Sequence, residues 1–519
     1  MRNARLMFLF MIIGALALFP PASHAQTETL IQGTTEKTMD LDPATSWSSF
    51  DWEVFMNVFP ALNSHVPGTG DVGPGLAESY TISEDGKEYT FHLRKGLKFA
   101  DGTPFDAHAV KWSIDRVFKL KGMPAFLVTS YVDHVEVVGP HDAKFVLKSP
   151  VSFFPALATR PPYAPLNPKQ YPQDQALHFP SQSQWGKLGG LGPYQIVSFK
   201  RDQEVVLEAN PNYYGPKPKT RRIVLRHFAD STTLRLSLER GEIDLAFKTL
   251  NPSDINDLRK SEDLKTVEMI SPYSRYLFFC TAIPPFNDKV LRQAVAATID
   301  RPAIIQKVFL GQRKPLYSVV PRGIWSHMDV FKESSGDCNV AKAKELLASR
   351  GYNENDKLAF DLWYTPSKWG DTEVDFAAVL KEQLEATETM RVDVKSAEWA
   401  TFVEYMGKKV MPVYMVQFVP DYIDPDTYLS SFGSTGASAS YGIFYSNKDW
   451  DAMLSKGMVE TDKSERIKIY EKLQQQWRTE CPAIPILQGT LHLFTRKNIE
   501  GVAFDPTGLL LYQNLEQVK

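Results

Sequence analysis

Apolar and polar residues follow two different periods along the chain, and each period predicts a different kind of element. Between Tyr89 and Leu93 every second residue is apolar, and Glu84-Asp85-Gly86-Lys87 supplies the residues of a tight turn, so the pattern predicts a β-hairpin over Tyr80–Leu93. In Ser464–Thr479 the apolar residues recur at every third or fourth position, which predicts an amphipathic helix. Because both patterns interleave throughout, the sequence predicts an α/β or α+β fold with several sheets.

The residues at the ends of these patterns support the same interpretation. Helical patterns begin after an aspartate, whose carboxylate can accept hydrogen bonds from a first turn, and several end near a glycine, which tolerates a left-handed backbone. These residues are Asp106, Asp230, Asp288 and Asp300 at the starts, and Gly241, Gly311 and Gly351 at the ends. The strand patterns cover Ile243–Phe247, Lys357–Tyr364 and Val413–Val419.

Length and composition are those of a globular protein with more than one domain. The 519 residues predict roughly three domains at about 150 residues each. With 58 Lys and Arg residues against 61 Asp and Glu residues, the chain lacks the basic excess of a nucleic-acid-binding protein. Aromatic residues make up 12% of the chain, which is high, and these rings either fill cores or line a site.

The N-terminus has the layout of a secretory signal peptide. Arg2 and Arg5 precede the apolar run Leu6–Phe19, which is too short to span a bilayer, and Ser23-His24-Ala25 supplies small residues before a cleavage site. We therefore expect residues 1–25 to be removed after Ala25, although a buried N-terminal helix is the alternative. No cysteine lies near this site, so we expect no lipid anchor.

Three cysteines follow, at Cys280, Cys338 and Cys481. In an oxidising compartment at most one pair can form, and the sequence leaves a bridge between Cys338 and Cys481 open. Neither a CxxC pair nor a Cys/His spacing typical of zinc sites is present, so we expect no metal and no cofactor.

The motifs of common catalytic sites are absent from the sequence. It contains no GxSxG, HExxH, Walker or GxGxxG motif in the required context. Asp421, Asp424 and Asp426 crowd one segment, but Pro425 interrupts the spacing of a calcium loop, and a solvated acidic turn is the simpler interpretation. The sequence therefore favours a binding protein without catalytic residues. A secreted hydrolase that uses Asp421 and Asp424 as paired carboxylates is the alternative.

Several short sequences occur in a fixed order along almost the entire chain after residue 25. They are Leu76–Tyr80, Glu88–Gly96, Phe99–Phe105, Gly192–Tyr194, Asn210–Tyr214, Gly241–Asp244, Pro285–Asp288, Arg292–Ala294, Ile299–Arg301 and Asp421–Leu429. In these residues and in their order, the chain resembles the family 5 extracellular solute-binding proteins, the dipeptide- and oligopeptide-binding class of ABC importers.

The resemblance implies an α/β periplasmic binding protein of two lobes (class II-like) with three structural domains, a hinge and a cleft between the lobes. Placed on this sequence, the domains are a discontinuous domain I at 26–56, 186–275 and 486–519, domain II at 57–185, and domain III at 276–485. The two crossings near residues 275 and 485 would form the hinge, and a ligand would be enclosed as the lobes close.

The resemblance also implies ligand-binding residues. Asp421 matches the aspartate that pairs with the ammonium group of a bound peptide, and Trp399 matches a tryptophan of the pocket wall. Their alternatives are a turn-bracing aspartate and a core ring. Lys368 is the candidate for the carboxylate end of the ligand, with a surface lysine as its alternative. The further aromatic wall candidates are Phe418, Tyr422, Trp325 and Trp369.

The implied function is that of a periplasmic substrate-binding protein. It would capture a di- or oligopeptide as a monomer and deliver it to the permease and ATPase complex of an ABC importer at the inner membrane, without catalysis and without binding nucleic acid. Within the family the alternatives are an oligosaccharide, an opine, a nickel chelate or another cationic solute. Outside it they are the hydrolase and a periplasmic holdase with exposed aromatic residues.

Overall fold

The computed structural model describes residues 29–38, 40–66, 69–177, 187–248, 250–334, 336–366, 368–370 and 372–518. The predicted signal peptide, residues 1–25, lies outside the described residues.

Strands occur along the whole described chain. They are β1 (Thr29–Thr34), β2 (Asn63–His65), β3 (Val72–Pro74), β4 (Ala77–Ile82), β5 (Glu88–Leu93), β6 (Val132–Gly139), β7 (Asp142–Leu147), β8 (Leu188–Gly189), β9 (Tyr194–Lys200), β10 (Glu204–Ala209), β11 (Arg222–His227), β12 (Leu245–Phe247), β13 (Leu264–Phe279), β14 (Lys314–Pro315), β15 (Leu358–Tyr364), β16 (Met390–Ser396), β17 (Val413–Phe418), β18 (Ala483–Arg496), β19 (Ile499–Glu500), β20 (Ala503–Phe504), β21 (Leu510–Leu511) and β22 (Glu516–Gln517).

Helices alternate with these strands. They are α1 (Ser49–Val58), α2 (Ala107–Leu120), α3 (Phe126–Thr129), α4 (Phe154–Leu157), α5 (Ser231–Arg240), α6 (Pro252–Leu258), α7 (Lys289–Thr298), α8 (Arg301–Phe309), α9 (Val330–Ser334), α10 (Val340–Ala348), α11 (Glu373–Glu385), α12 (Trp399–Gly407), α13 (Asp426–Gly433), α14 (Lys448–Val459) and α15 (Lys463–Glu480).

The predicted hairpin and helix starts are confirmed. Strands β4 and β5 pair antiparallel around the Ser83–Lys87 turn. The four predicted aspartates each accept a hydrogen bond from the backbone of the helix that follows, as Asp106 does from His108 N and Ala109 N. Gly241 ends α5 in the left-handed conformation. Helix α8 differs slightly, because Leu310 adopts that conformation first and Gly311 follows it.

A large mixed sheet connects most of the molecule. Its strand order is β16-β15-β17-β13-β18-β12-β1-β11-β10-β9-β8, with β14 paired to β18. Strand β15 runs parallel to both β16 and β17, and β1 runs parallel to β11 and β12. A separate antiparallel sheet has the order β4-β5-β7-β6. The α/β pattern read from the sequence is confirmed by this mixture.

Two large hydrophobic cores divide the molecule into two lobes. The first lobe is built around a core from residues 30–247 and 491–515, and the second lobe around a core from residues 276–487. Tyr422 and the partly buried Met458 are exceptions, since they come from the second stretch and pack against the first core. The domain boundaries placed on the sequence stay a prediction.

Two long antiparallel strands, β13 and β18, run from one lobe to the other. Leu493 of β18 belongs to the first core, whereas Ile484 of the same strand belongs to the second. The pairing of β13 with β18 is interrupted between Ile270 and Ser274, where the register shifts. Such an irregularity lacks part of the hydrogen-bond ladder, so it is where the paired strands bend most easily.

The lobes also contact each other away from these strands. The backbone N–H of Ser152 donates to the carbonyl of Met458 at 2.7 Å. The ring of Phe153 stacks on Tyr422 with a centroid distance of 5.0 Å. The cleft between the lobes is therefore closed on this side.

The three cysteines are free thiols in the structure. Cys280 and Cys481 are buried and Cys338 is exposed, so the structure does not contain the Cys338–Cys481 bridge that the sequence left open. Cys280 lies just after β13. Burial raises the pKa of Cys280, and it raises that of Cys481 to about 12, which keeps both thiols protonated at neutral pH.

Candidate functional site

The predicted site residues lie just after the parallel strands of the second lobe. Lys368 and Trp369 follow β15, Trp399 follows β16 at the start of α12, and Asp421 follows β17. Because β15, β16 and β17 are mutually parallel, their carboxyl ends meet at one edge of the sheet. Loops at such an edge are where open α/β sheets bind ligands, and this explains how residues distant in sequence are brought to the same side of the lobe.

Asp421 faces two residues of the first lobe. The guanidinium of Arg160 and the indole of Trp47 both favour its charged form, the latter through a hydrogen bond from its side chain. Removal from water has the larger effect, and it raises the pKa of Asp421 to about 6. The carboxylate is thus ionised at neutral pH without a close cation, since no ion pair joins it to any of the described residues.

Aromatic residues from both lobes surround this carboxylate. Tyr131 comes from the first lobe and Tyr441 and Tyr428 from the second, and the charge of Asp421 adds to the burial that raises the pKa of each phenol. Trp47 contacts Phe126 edge-on at 5.4 Å, and both rings are partly exposed. An apolar setting of this kind strengthens the attraction between Asp421 and a cation that replaces its lost water.

The other two aspartates of the segment, Asp424 and Asp426, are bonded to side chains within the protein. Asp424 forms a bidentate ion pair with Arg466, with both N–O distances at 3.0 Å, and both side chains are buried. Asp426 accepts hydrogen bonds from Ser430 and Tyr470 at 2.6 and 2.8 Å. Since both oxygens of Asp424 are occupied, the arrangement does not favour Asp424 as the catalytic partner of Asp421.

Lys368, Trp369 and Trp399 form one cluster. The ammonium of Lys368 lies 5.1 Å from the centre of the Trp399 ring, and the two indoles meet edge-on at 5.4 Å. The guanidinium of Arg275 lies over Trp369, donates to its carbonyl at 3.2 Å and pairs with the buried Glu373 at 2.6 Å. The positive charge of Lys368 is therefore already held by an aromatic face.

The remaining aromatic candidates lie apart from this cluster. Phe418 is buried in the second core against Phe432, at 4.7 Å. Tyr422 is buried between the lobes and donates to Asp426 at 3.2 Å. Trp325 covers Arg466, whose guanidinium carbon lies 4.8 Å from its ring centre. The structure gives each of these three rings a packing partner, and their contact with a ligand stays a prediction.

A cavity of about 370 Å³ opens where both lobes meet β13. It is lined by Thr69, Gly70, Glu268, Met269, Ile270, Pro272, Arg322, Gly323, Ile324, Ile423, Phe504 and Pro506. Ile423 lies close in sequence to Asp421. Pro506 is next to Thr507, which contacts Arg160. The cavity therefore borders the loop that carries Asp421 and the loop whose Thr507 contacts Arg160.

Reasoning from sequence missed Trp47 and Arg160. Both belong to the first lobe and meet Asp421 only after the chain has folded. One signal for Arg160 was available, because it is a single charge within the apolar stretch Val151–Tyr163. Arginine is rarely fully buried without a partner, so such a position marks either an internal ion pair or a binding group.

Neither a metal-binding group nor a membrane-spanning helix occurs among the described residues. No group of three or more His, Cys, Asp or Glu residues in this part of the chain is arranged to hold a metal ion. None of the helices described is both long and apolar enough to cross a membrane.

Comparison with known proteins places the chain in a family. The family model described as bacterial extracellular solute-binding proteins, family 5 Middle, matches residues 71–440. The chain is 26% identical over 501 residues to the probable D,D-dipeptide-binding periplasmic protein DdpA of Escherichia coli (strain K12), covering 94% of both chains. It is 26% identical over 506 residues to the di/tripeptide-binding protein 2 of Pseudomonas aeruginosa (strain UCBPP-PA14), covering 93% of this chain and 94% of that one.

The fold comparison agrees with the sequence comparison. The solved structure of HbpA2 from Haemophilus parasuis superposes with a TM-score of 0.82 at 23% identity, covering 95% of this chain and 100% of that one. The two cores, the paired strands β13 and β18, and the cleft correspond to the two-lobed fold of periplasmic binding proteins. With a family match that spans well over half of its length, the chain belongs to the bacterial extracellular solute-binding proteins of family 5.

Proposed function

We propose that this protein captures a short peptide between its lobes and delivers it to the membrane complex of an ABC importer, without chemical change. The observation that carries the proposal is Asp421, an ionised carboxylate at the cleft that has no close cation. A peptide ammonium would supply that cation and form a charge-assisted hydrogen bond. One of the two relatives is named as a probable D,D-dipeptide-binding protein and the other as a di/tripeptide-binding protein, which supports the same ligand class.

The movement that encloses the ligand follows from the two paired strands. We propose that the lobes rotate about β13 and β18 near the register shift at Ile270–Ser274, with domains I, II and III bounded as the sequence predicts. Closure brings Arg160 and Trp47 of the first lobe to Asp421 of the second. The ligand would stabilise this closed form because only the closed form offers it contacts from both lobes.

The cellular setting belongs to the same proposal. We place the protein in the periplasm, exported by residues 1–25 and acting there as a monomer whose closed lobes are recognised by the permease. The relative from Escherichia coli is named as a periplasmic protein, which supports this compartment.

A panel of matched ligands tests the proposal. Free dipeptides are expected to raise the melting temperature of the protein, since a ligand that binds only the folded state stabilises it by mass action. The same dipeptides with an acetylated N-terminus are expected to give little or no shift, because they lack the ammonium. The measurement is thermal unfolding with millimolar ligand. Equal shifts from free and acetylated dipeptides would refute the role of Asp421, and no shift from any peptide would refute peptide binding.

Peptide affinity is expected to fall as the pH is lowered through about 6. The raised pKa of Asp421 means that its carboxylate becomes neutral below that value, and it then no longer attracts an ammonium. Each pH unit below 6 should weaken binding by about tenfold, whereas affinity should level off near pH 7, below the range in which the peptide ammonium itself loses its proton. Calorimetric titrations at pH 7.5, 6.0 and 5.0 measure this, and a flat profile over that range would contradict it.

The stability of the unbound protein should change in the opposite direction. Because folding raises the pKa of Asp421 from 3.8 to about 6, ionising this group disfavours the folded state. This cost is absent well below pH 4, grows between pH 4 and 6, and is complete above pH 6. Asp426, whose pKa burial also raises to about 6, adds a cost of the same sign.

A further inference from the structure

Arg160 of the first lobe is a buried cation with unusually poor hydrogen bonding. Its side chain is 2% exposed, and its Nε has no hydrogen-bond partner among the described residues. Its nearest polar contacts are long, at 3.4 Å to the hydroxyl of Thr507 and 3.8 Å to the carboxylate of Asp505. The guanidinium instead lies 4.7 Å from the ring centre of Trp52. A buried charge with so few partners is costly, so its retention calls for a reason.

Two other buried arginines of this chain, Arg116 and Arg466, use the whole guanidinium group in hydrogen bonds. Arg116 donates from Nε to the Pro172 carbonyl at 2.6 Å and pairs through both terminal nitrogens with Asp42. Arg466 donates from Nε to a backbone carbonyl at 3.0 Å and pairs in the same way with Asp424. Arg116 and Arg466 each donate from both terminal nitrogens to one carboxylate. No carboxylate of the described residues accepts from the terminal nitrogens of Arg160 in this way.

Asp505 is not such a partner for Arg160, because groups of its own loop already use its carboxylate oxygens. Its carboxylate accepts from the backbone N–H groups of Thr507 and Leu509, both at 3.0 Å, and from the Thr507 hydroxyl at 2.7 Å. These hydrogen bonds stabilise the loop, and they leave the Asp505 carboxylate little room to accept further hydrogen bonds from Arg160. The charge of Asp505 therefore compensates Arg160 at a distance without saturating its donors.

The other charge that Arg160 faces is Asp421, across the cleft. The segments that carry them meet between the lobes, where the ring of Phe153 stacks on Tyr422, yet the two groups form no direct ion pair. Two opposite charges on opposite lobes, both short of partners, match the two ends of a zwitterion. The guanidinium fork fits a carboxylate through two parallel hydrogen bonds, and Asp421 fits an ammonium.

We infer that Arg160 binds the carboxylate of a short zwitterionic peptide whose ammonium is held by Asp421. The inference rests on the proposed function and names the group that receives the second end of the ligand. That group is then Arg160 in place of Lys368, which already lies over Trp399. Each lobe binds one end of the ligand, so a peptide that lacks either charge engages only one lobe.

Amidated peptides separate this inference from the proposed function. We would titrate wild-type protein, Arg160→Gln and Lys368→Ala with L-Ala-L-Ala, L-Met-L-Leu and D-Ala-D-Ala, each as the free acid and as the C-terminal amide. Wild-type protein should bind the best of these acids about 10- to 100-fold more tightly than its amide, because the amide loses a charged hydrogen-bond partner. Arg160→Gln should lose this preference, whereas Lys368→Ala, which removes the other candidate for the carboxylate end of the ligand, should keep it.

The melting temperature of the unbound variant is the second measurement. Arg160→Gln removes a poorly bonded buried cation, so it should unfold at the same temperature as wild type or at a higher one. A purely structural arginine would give a lower temperature together with an unchanged preference for the acid, and that result overturns the inference. Should Arg160→Gln fail to fold, Arg160→Lys keeps the charge without the fork and should reduce the preference. An unchanged preference in that variant also overturns the inference.

The remaining outcomes are distinct. If wild-type protein binds acids and amides equally, Arg160 is not the carboxylate site, whereas peptide binding itself stands. If wild-type protein binds none of these acids or amides, both the proposed function and the inference are wrong.

Discussion

Asp421→Asn is expected to weaken the binding of a free-amine dipeptide by about 100-fold or more. The substitution keeps the shape of the side chain but removes the charge that an ammonium would meet in a partly buried, aromatic setting. Truncating one member of a desolvated, hydrogen-bonded charge pair typically costs 2–5 kcal/mol or more of binding free energy, which corresponds to about 30-fold to several thousand-fold in affinity. Isothermal titration calorimetry at pH 7.5 measures the effect.

Two controls make this result specific. Asp449→Asn removes the same charge from an exposed position at the start of α14, and it should leave affinity unchanged. The residual binding of Asp421→Asn should depend much less on pH between 5 and 7.5, because the carboxylate that meets the ammonium is gone and only Asp426 of this segment still titrates near 6. A variant that binds free and acetylated dipeptides as wild type does would remove the central support for the proposed function.

Asp424→Asn is expected to destabilise the protein by about 3–5 kcal/mol. It leaves the buried guanidinium of Arg466 without the carboxylate that neutralises it through two hydrogen bonds at 3.0 Å. Breaking a buried pair from one side costs more than the pair itself contributes, because the remaining charge stays desolvated. The urea dependence of unfolding gives the change in the free energy of unfolding.

An exposed ion pair provides the matched comparison. Lys463→Ala breaks the contact with Asp71, a pair at 2.7 Å in which both side chains are more than half exposed, and should change stability by no more than about 1 kcal/mol. The double variant Asp424→Asn/Arg466→Met should recover much of the loss, since the unpaired charge is gone. If the free energy of unfolding of Asp424→Asn lies within about 1 kcal/mol of the wild-type value, the ion pair does not stabilise the segment that carries Asp421.

The fold was most predictable where short-range chemistry decides it. Asp106, Asp230 and Asp288 mark helix starts because a capping carboxylate acts on N–H groups two or three residues away. The hairpin at β4 and β5 follows from local alternation and a four-residue turn. Such features need no knowledge of the rest of the chain, and the structure confirms them.

The candidate site was predictable only in part, for a physical reason. Asp421 and Trp399 could be named because each matches a residue of the family that the chain resembles, and Asp421 also follows the predicted strand Val413–Val419. Arg160 and Trp47 could not be assigned to them, because only packing between the lobes brings these residues together. Likewise, no local pattern shows that Lys368 lies on the Trp399 ring. The sequence therefore indicated the residues that the second lobe contributes to the candidate site, and it missed those that the first lobe contributes.

The path of β18 has a consequence for how the chain reaches its native state. This strand contributes to both cores and pairs with β12 of one lobe and β13, which spans the two. Leu30 near the start of the described chain and Leu510 near its end belong to the same core. Neither core can be completed until nearly all of the polypeptide is available, and contacts so distant in sequence form slowly. A chain that delays its own compaction in this way remains extended for longer, which is compatible with the export proposed above.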